Sequence, residues 1–287
     1  MTKNTTKNPT RRHFMQAGMA TSAALLSGTA IAQEITLEPS RGAGQTVMDM
    51  GYYGKRSEYV KDARMKGDRG TGLIGGSLTP LQHGQGMVTP SGLHFEVHHS
   101  GVPVIDPSEH KLLIHGMVED EKIFTMEDLF RFPKESHFRF LECAGNGMGE
   151  WTSPRGQTVQ QTHGLTSCSQ WTGVSLKVLL NELGVNTDAK WLLAEGDDGA
   201  RMTRSIPMWK ALDDAMVVYA QNGEFLRAEQ GFPLRLLVPG FEGNMNVKWL
   251  HRLEVSDKPW WTHHEVTEYA DPRPDDKIRA YSFEMEA

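Results

Sequence analysis

The sequence predicts an α+β fold with a mixed β-sheet, and three observations lead to this class. From residue 91 onward, short runs of alternating apolar and polar residues outnumber the runs with helical spacing. Strands and helices do not alternate regularly, which argues against a parallel α/β sheet. The 287 residues, 38% of them hydrophobic, show no internal repeat and suffice for one large domain or two small ones.

The first 32 residues are typical of an export signal. Basic residues precede a weakly apolar run, which ends in the cleavage pattern Ala30-Ile31-Ala32. The Arg11-Arg12 pair, between Thr10 and Phe14, resembles the twin-arginine export signal, which carries folded proteins. We therefore predict a twin-arginine signal peptide over 1–32 and a periplasmic location.

The charge balance excludes two classes of partner. Cleavage after residue 32 removes four of the 30 basic residues and none of the 36 acidic ones, so the net charge becomes 26 − 36 = −10 instead of −6. Such an acidic chain is a poor ligand for nucleic acid or anionic lipid. No stretch after the signal is long and apolar enough for a membrane span.

The remaining chain divides into three predicted regions. Residues 33–78 are Gly-rich without periodicity, which predicts an irregular N-terminal arm. Residues 79–270 carry the strand and helix patterns and form the predicted catalytic domain. Residues 271–287 are interpreted as a linker or the start of a missing C-terminal domain.

Strand and helix signals follow in order within 79–270. Strands are predicted at 93–98, 111–118, 138–142, 190–194, 216–220, 233–238 and 247–255. Thr125 followed by Asp128 predicts an N-cap for a helix that Pro133 closes, and further helices are expected at 175–184 and 208–215. Asn222-Gly223 predicts a hairpin turn.

Cys143 ends an apolar strand and is followed at once by Ala144, Gly145 and Asn146. A thiolate held at such a junction is a good metal ligand or nucleophile. Two other interpretations stay open. Cys143 could be a small core residue, or it could pair with Cys168, the only other cysteine, in a structural disulfide.

Two further groups favour an anionic cofactor. Arg235 and Lys248 lie among Gly-rich turns, and a guanidinium with an ammonium can hold a phosphate. His98 and His99 are adjacent, so on a strand they face opposite sides and cannot easily share one metal ion. No Walker or Rossmann pattern supports ATP or NAD.

Taken together, motifs in a fixed order resemble the sulfite oxidase family of molybdenum enzymes, over roughly residues 88–270. Within that family, the exported chain is most similar to the sulfane dehydrogenase type. The motifs are Phe95-Glu96-Val97-His98-His99, Cys143-Ala144-Gly145-Asn146, Trp171-Thr172-Gly173-Val174, Glu195-Gly196-Asp197-Asp198, Ser205-Ile206-Pro207, Asn222-Gly223, Gly231-Phe232-Pro233-Leu234-Arg235 and Val247-Lys248-Trp249-Leu250.

The resemblance implies a Mo-molybdopterin cofactor and a set of site residues. Cys143 would be the thiolate ligand of molybdenum, and Tyr269 would lie in the substrate pocket. The implied cofactor-binding residues are His98, His99, Asp198, Gln230, Arg235, Asn246, Val247 and Lys248.

This chain also departs from the family. Members that oxidise sulfite carry arginines where it has Val97 and Gly147-Met148. We also expect the family's C-terminal dimerisation domain to be absent from this chain. A less charged pocket mouth favours sulfur carried on a protein thiol over free sulfite.

The resemblance thus implies a molybdenum oxidoreductase that oxidises sulfane sulfur on a carrier protein, or sulfite, by oxygen-atom transfer. A cytochrome c would accept the electrons, since the chain contains no haem motif. Two alternatives are a protein methionine-sulfoxide-type reductase of the same superfamily and a cofactor-free periplasmic binding protein with a Cys143–Cys168 disulfide.

Overall fold

A computed structural model describes residues 53–152, 157–272 and 278–279. The predicted signal peptide and most of the predicted linker lie outside these residues. The chain divides into two units, Met1–Glu58 and Tyr59–Ala287, and every element below belongs to the second.

The strands, in chain order, are β1 (Met65–Thr71), β2 (Gly75–Leu78), β3 (Glu96–His98), β4 (Lys111–Gly116), β5 (Lys122–Thr125), β6 (Lys134–Glu142), β7 (Thr166–Ser175), β8 (Trp191–Gly196), β9 (Thr203–Pro207), β10 (Met216–Gln221), β11 (Glu224–Phe225), β12 (Arg235–Leu237), β13 (Leu250–Ser256), β14 (Asp271–Pro272) and β15 (Ile278–Arg279). The helices are α1 (Met126–Arg131), α2 (Met148–Thr152), α3 (Val159–His163), α4 (Leu176–Glu182), α5 (Met208–Ala211) and α6 (His263–Thr267). Short 3-10 turns lie at Leu81–His83, Ser91–Leu93, Ala228–Gln230 and Gly243–Met245.

Three larger sheets carry the domain, and β14 and β15 form a separate two-stranded sheet. β1, β2 and β3 form a small antiparallel sheet. A second sheet has the order β11-β10-β7-β6, with β12 also paired to β10. The third has the order β5-β4-β13-β8-β9, in which β13 runs parallel to β4 and antiparallel to β8. This mixed pairing with few helices confirms the predicted α+β class.

The main core lies between the second and third sheets. Helix α4 buries Leu176, Leu179 and Leu180 in it, together with strand residues such as Val217 and Leu253. Burying an aliphatic side chain of this size contributes about 1.5–3 kcal/mol. A smaller cluster around Trp171 covers the opposite face of the second sheet, so its central strands are buried on both faces. These layers fix the strand ends from which the site is built.

Several local predictions are confirmed. Thr125 and Asp128 form a reciprocal capping box at the start of α1, as the Thr-x-x-Asp spacing indicates. Helix α4 is followed by Gly184 at φ +65°, which is the left-handed conformation that glycine adopts readily. Asn222 and Gly223 connect β10 to β11 as a hairpin.

Other predictions are wrong or incomplete. The predicted arm is not irregular throughout, because β1 and β2 lie within it and pair with β3. Their Gly-rich sequence hides them, because it lacks the alternation of apolar and polar residues that predicts a strand. Residues 166–175 form the long strand β7, although the sequence predicted no strand there. Strand β9 and helices α2 and α3 were also missed.

Candidate active site

One pocket gathers every residue that the resemblance implicates. Its walls enclose about 680 Å³ of empty space, part of it open to solvent. The predicted residues that line it are Cys143, Tyr269, His98, His99, Asp198, Gln230, Arg235, Asn246, Val247 and Lys248. They come from strand ends and from turns and loops between the strands and helices, which explains why they are far apart in sequence.

Cys143 is fixed by the turn that follows β6. Its backbone N–H donates to the Leu165 carbonyl at 3.0 Å, and its own carbonyl accepts from the Asn146 N–H at 2.8 Å. The Asn146 side chain then bonds both strands, donating to Glu142 Oε1 at 2.7 Å and accepting from the Leu165 N–H at 3.0 Å. The thiol is therefore presented by a rigid junction.

Gly243 lets a neighbouring turn pack directly on this junction. A Cβ at Gly243 would lie 3.1 Å from the Glu142 carbonyl oxygen and 3.2 Å from the Cys143 Cα. Such contacts are tighter than side chains normally make, so only glycine fits without a shift. The backbone around the thiol is thus packed closely on both sides.

The disulfide alternative is not what the structure shows, because Cys143 and Cys168 are not joined by a disulfide. Cys168 pairs across the ladder with Phe140, whereas Cys143 lies beside Leu165. Three residues of strand separate the two positions, about 10 Å, which is too far for a disulfide. Burial raises the pKa of Cys168, so its thiol is kept protonated.

His98 lies at the centre of a hydrogen-bonded chain. Lys248 Nζ donates to His98 Nδ1 at 2.8 Å, so the opposite nitrogen, Nε2, carries the proton and donates to Glu96 Oε2 at 2.8 Å. Burial lowers the pKa of His98, in agreement with a neutral ring. Burial alone would raise the pKa of Glu96, but the His98 bond and the Arg64 charge outweigh it and lower this pKa to about 2. His98 therefore connects a carboxylate to a lysine.

His98 and His99 both reach the pocket, although adjacent strand residues point to opposite faces. The reason is that β3 ends at His98 and the backbone bends at His99.

Two cations line the pocket, and within the described residues neither lies within 4.0 Å of a carboxylate. Arg235 is buried and its Nε has no hydrogen-bond partner, while its Nη1 donates to the backbone and side-chain oxygens of Gln230 at 3.1 Å. Burial lowers the pKa of Arg235 to about 9. Burial, followed by the charge of Arg235, lowers the pKa of Lys248 to about 7. Both side chains would be stabilised by an anion placed between these groups.

His94 was not among the predicted site residues, although it lines the same pocket. Its Nδ1 donates to the Phe95 carbonyl at 2.9 Å, which leaves the buried Nε2 as an acceptor without a partner. Burial lowers the pKa of His94 to about 3, so the ring is neutral. The predicted strand 93–98 would have placed His94, Glu96 and His98 on one face, but β3 begins only at Glu96, so this spacing does not identify His94 as a site residue.

The polar side chains of Asn246 and Asp198 are partly committed to the backbone. Asn246 Oδ1 accepts from the Val238 N–H at 2.7 Å, and its Nδ2 donates to the Glu242 carbonyl at 2.9 Å. Asp198 Oδ1 accepts from the Met202 N–H at 3.2 Å. Asn246 therefore holds the loop that carries Val247 and Lys248 against the pocket.

Tyr269 closes another side of the pocket. Its hydroxyl lies 3.4 Å from His99 Nε2, and the guanidinium of Arg204 stacks on its ring at 4.6 Å. Arg204 is fully buried and was not predicted as a site residue. No sequence signal separated it from the other arginines.

The donor set fits a phosphorylated cofactor that brings its own metal ligands. The unpaired atoms His94 Nε2 and Arg235 Nε are available to accept from and donate to such a group. Within the described residues, no three His, Cys, Asp or Glu side chains are grouped to hold a metal ion, so Cys143 would act with ligands that the cofactor supplies. Fold and site together define an oxidoreductase domain of the molybdopterin-binding class.

Comparisons with known proteins agree with this class. The oxidoreductase molybdopterin binding domain matches residues 99–264, more than half of the chain. The chain belongs to this family, and within it to the sulfite oxidase family, whose cofactor is Mo-molybdopterin.

Particular relatives are similar at 34–38% identity. The sulfane dehydrogenase SoxCD from Paracoccus pantotrophus is 38% identical with a TM-score of 0.82, covering 87% of this chain and 65% of the solved one. Mitochondrial sulfite oxidase of Drosophila melanogaster is 35% identical over 63% of this chain and 33% of its own length. The NADH nitrate reductase of Ulva prolifera is 34% identical over 63% of this chain and 23% of its own. The chain thus spans about a quarter to two thirds of the length of these relatives.

Proposed function

We propose that this chain is the molybdenum-carrying part of an enzyme that oxidises sulfur compounds. Its substrate would be sulfane sulfur on a carrier protein, or sulfite. The observation that supports this most is the likeness to the sulfane dehydrogenase SoxCD, which extends over 87% of the chain. The location that goes with it is the periplasm, reached by the twin-arginine route. In the described residues, no helix is long and apolar enough to cross a membrane.

The pocket lining supports a sulfur substrate in a second way. Val97 and Tyr269 line it, and its basic residues, apart from histidine, are Arg235 and Lys248. A lining with few open cations suits sulfur carried on a larger, less charged group, since a small dianion needs several convergent donors.

The chain's residues have distinct tasks in this proposal. When bound, Mo-molybdopterin supplies two-electron oxygen-atom transfer. The Cys143 thiolate would hold the metal, and Arg235 and Lys248 would hold the anionic end of the cofactor. Tyr269, close to His99, would orient the substrate. Because these groups are held by packed strand ends and loops, little would reorganise during turnover.

The overall reaction also defines a partner. Sulfite and water give sulfate, two protons and two electrons, and the electrons must leave the site. The chain has only two cysteines, 25 residues apart, and hence no Cys-x-x-Cys-His haem attachment sequence. We propose a cytochrome c as the electron acceptor.

Nitrate reduction is a second candidate, because nitrate reductases of several organisms are 33–37% identical to the chain. Nitrate reduction would use the same cofactor, but the oxygen atom would leave the substrate instead of being added to it. Reduction of methionine sulfoxide in proteins is a further reductive alternative. The direction of oxygen transfer therefore separates the candidates.

Molybdenum and pterin content of the purified protein should be measured first, with about one molybdenum atom per chain as the expected result. Steady-state assays then compare oxidation of sulfite and of a persulfidated thiol, using cytochrome c as acceptor, with reduction of nitrate and methionine sulfoxide by a reduced dye. The Cys143→Ser variant is the inactive control. Reduction of nitrate or sulfoxide without any sulfur oxidation would overturn the proposal.

A further inference from the structure

Arg204 is a buried cation that lacks an ion-pair partner. Its side chain is 0% exposed, and no carboxylate of the described residues lies within 4.0 Å of it. Its Nε donates to Asn244 Oδ1 at 2.8 Å and its Nη1 to the Thr203 carbonyl at 2.7 Å, whereas Nη2 has no partner. A buried charge without a counter-ion destabilises a fold, so its presence calls for a compensating role.

Two carboxylates act on Arg204 from a distance, but each is engaged by other donors. Glu265 is buried and accepts from the Ser205 N–H at 2.6 Å and from Thr262 Oγ1 at 2.7 Å. Glu242 accepts from Asn244 Nδ2 at 2.7 Å. Burial lowers the pKa of Arg204 and outweighs the opposing influences of Tyr269, which also forms a side-chain hydrogen bond with it, and of the two carboxylates. The guanidinium therefore still lacks a close anion.

Two of the groups that Arg204 contacts, Tyr269 and Asn244, line the pocket. Its guanidinium stacks on the ring of Tyr269 at 4.6 Å, and Asn244, which it holds by Nε, follows the glycine packed on Cys143. Arg204 thus lies behind the pocket wall that leads from the thiol to Tyr269. It differs from Arg235 and Lys248, which line the pocket themselves.

We propose that Arg204 is a positioning residue that gives this wall a fixed positive charge and thereby favours substrates or products bearing an oxyanion. It acts through Asn244 and Tyr269, whose orientation it fixes, and through its own charge in a low-dielectric surrounding. The identity of the oxyanion as oxidised sulfur rests on the proposed function. The anion preference itself does not depend on it.

The test compares variants of the molybdenum-loaded enzyme. Arg204→Met removes the charge, and Arg204→Lys keeps it. Arg201→Met is the matched control, since Arg201 lies three residues earlier with its side chain 59% exposed. Molybdenum and pterin content is measured for each. Calorimetric titration with sulfate, an unreactive dianion, then reports anion affinity, and kcat and KM for sulfite report catalysis.

We expect Arg204→Met to retain its molybdenum while its Kd for sulfate and its KM for sulfite rise about 10- to 100-fold, the range for losing one charged partner. Arg204→Lys should restore most of the affinity, and Arg201→Met should match the wild type. Should the Met variant fail to fold, Arg204→Gln replaces it, because Gln can still donate a hydrogen bond.

The inference would be overturned if the Arg204→Met variant retained its molybdenum and bound sulfate with a Kd within twofold of the wild-type value. A wild type that does not bind sulfate, or a Lys variant as impaired as the Met variant, would also overturn it. A wild type that binds sulfate through Arg204 but oxidises no sulfur compound would refute the proposed function alone.

Discussion

Lys248 provides the sharpest test of the cofactor pocket, because its charge is costly until an anion arrives. Its pKa falls from 10.5 to about 7, mainly through burial. Keeping the lysine charged in the cofactor-free fold therefore costs on the order of 5 kcal/mol.

The pH dependence follows from the protons bound in each state. Between pH 7 and pH 10.5 the unfolded chain keeps Lys248 protonated, whereas the cofactor-free fold does not. The unfolded state therefore binds more protons, and the free energy of unfolding rises with pH across this window. Between pH 7 and pH 9 the wild type should gain about 2 kcal/mol relative to Lys248→Met.

The assay is urea unfolding of cofactor-free protein, produced in cells unable to make molybdopterin, at pH 7 and pH 9. The Lys248→Met variant also loses the hydrogen bonds to the Val97 and Glu229 carbonyls. Because these carbonyls do not titrate, the free energy lost with them cancels when the two pH values are compared. Lys177→Met, on the exposed face of α4, is the control and should show no such dependence. With the cofactor bound, the difference between wild type and Lys248→Met should become independent of pH.

A difference between wild type and Lys248→Met that stays constant within about 0.5 kcal/mol from pH 7 to pH 9 would refute the reasoning. It would mean that the lysine is already charged in the cofactor-free fold and needs no anion.

Three other substitutions probe the site and the fold. Cys143→Ser should abolish turnover but retain most of the pterin, measured by fluorescence, whereas Cys168→Ser should have a mild effect; equal losses would contradict the assignment of Cys143. Gly243→Ala should lower kcat by about 10- to 100-fold, because its Cβ would push the Cys143 backbone, while unchanged kcat would contradict that packing. Thr125→Ala should lower the free energy of unfolding by about 1 kcal/mol through loss of the α1 cap, measured by urea denaturation, and no change would show that the cap is dispensable.

Elements with a strong local signal could be predicted from the sequence. The capping box of α1 and the Asn222-Gly223 hairpin are decided by contacts between near neighbours in the chain. The strand before Cys143 was predicted because alternating apolar residues end abruptly at a turn. Strand β7 was not, since its Gly173 and polar residues alternate weakly and gain their burial from β6 and β10 on either side.

The residues of the site also divide into those that the sequence predicted and those that it missed. Motifs in order were enough to name residues that the fold brings into one pocket, such as Cys143 and Lys248. His94 and Arg204 were missed because their importance lies in an unpaired buried nitrogen. That property depends on every neighbour in three dimensions, and residue type and spacing do not encode it.

The pocket draws on residues from His94 to Tyr269, which are contributed by segments that meet only when the domain is fully assembled. A cofactor bound there would act as a cross-link between distant parts of the chain. It would couple the local opening of β3 to that of the segment around α6, so amides in both would exchange with solvent together and more slowly. Retention of the cofactor would then report that folding is complete, which is the state that the proposed twin-arginine export requires.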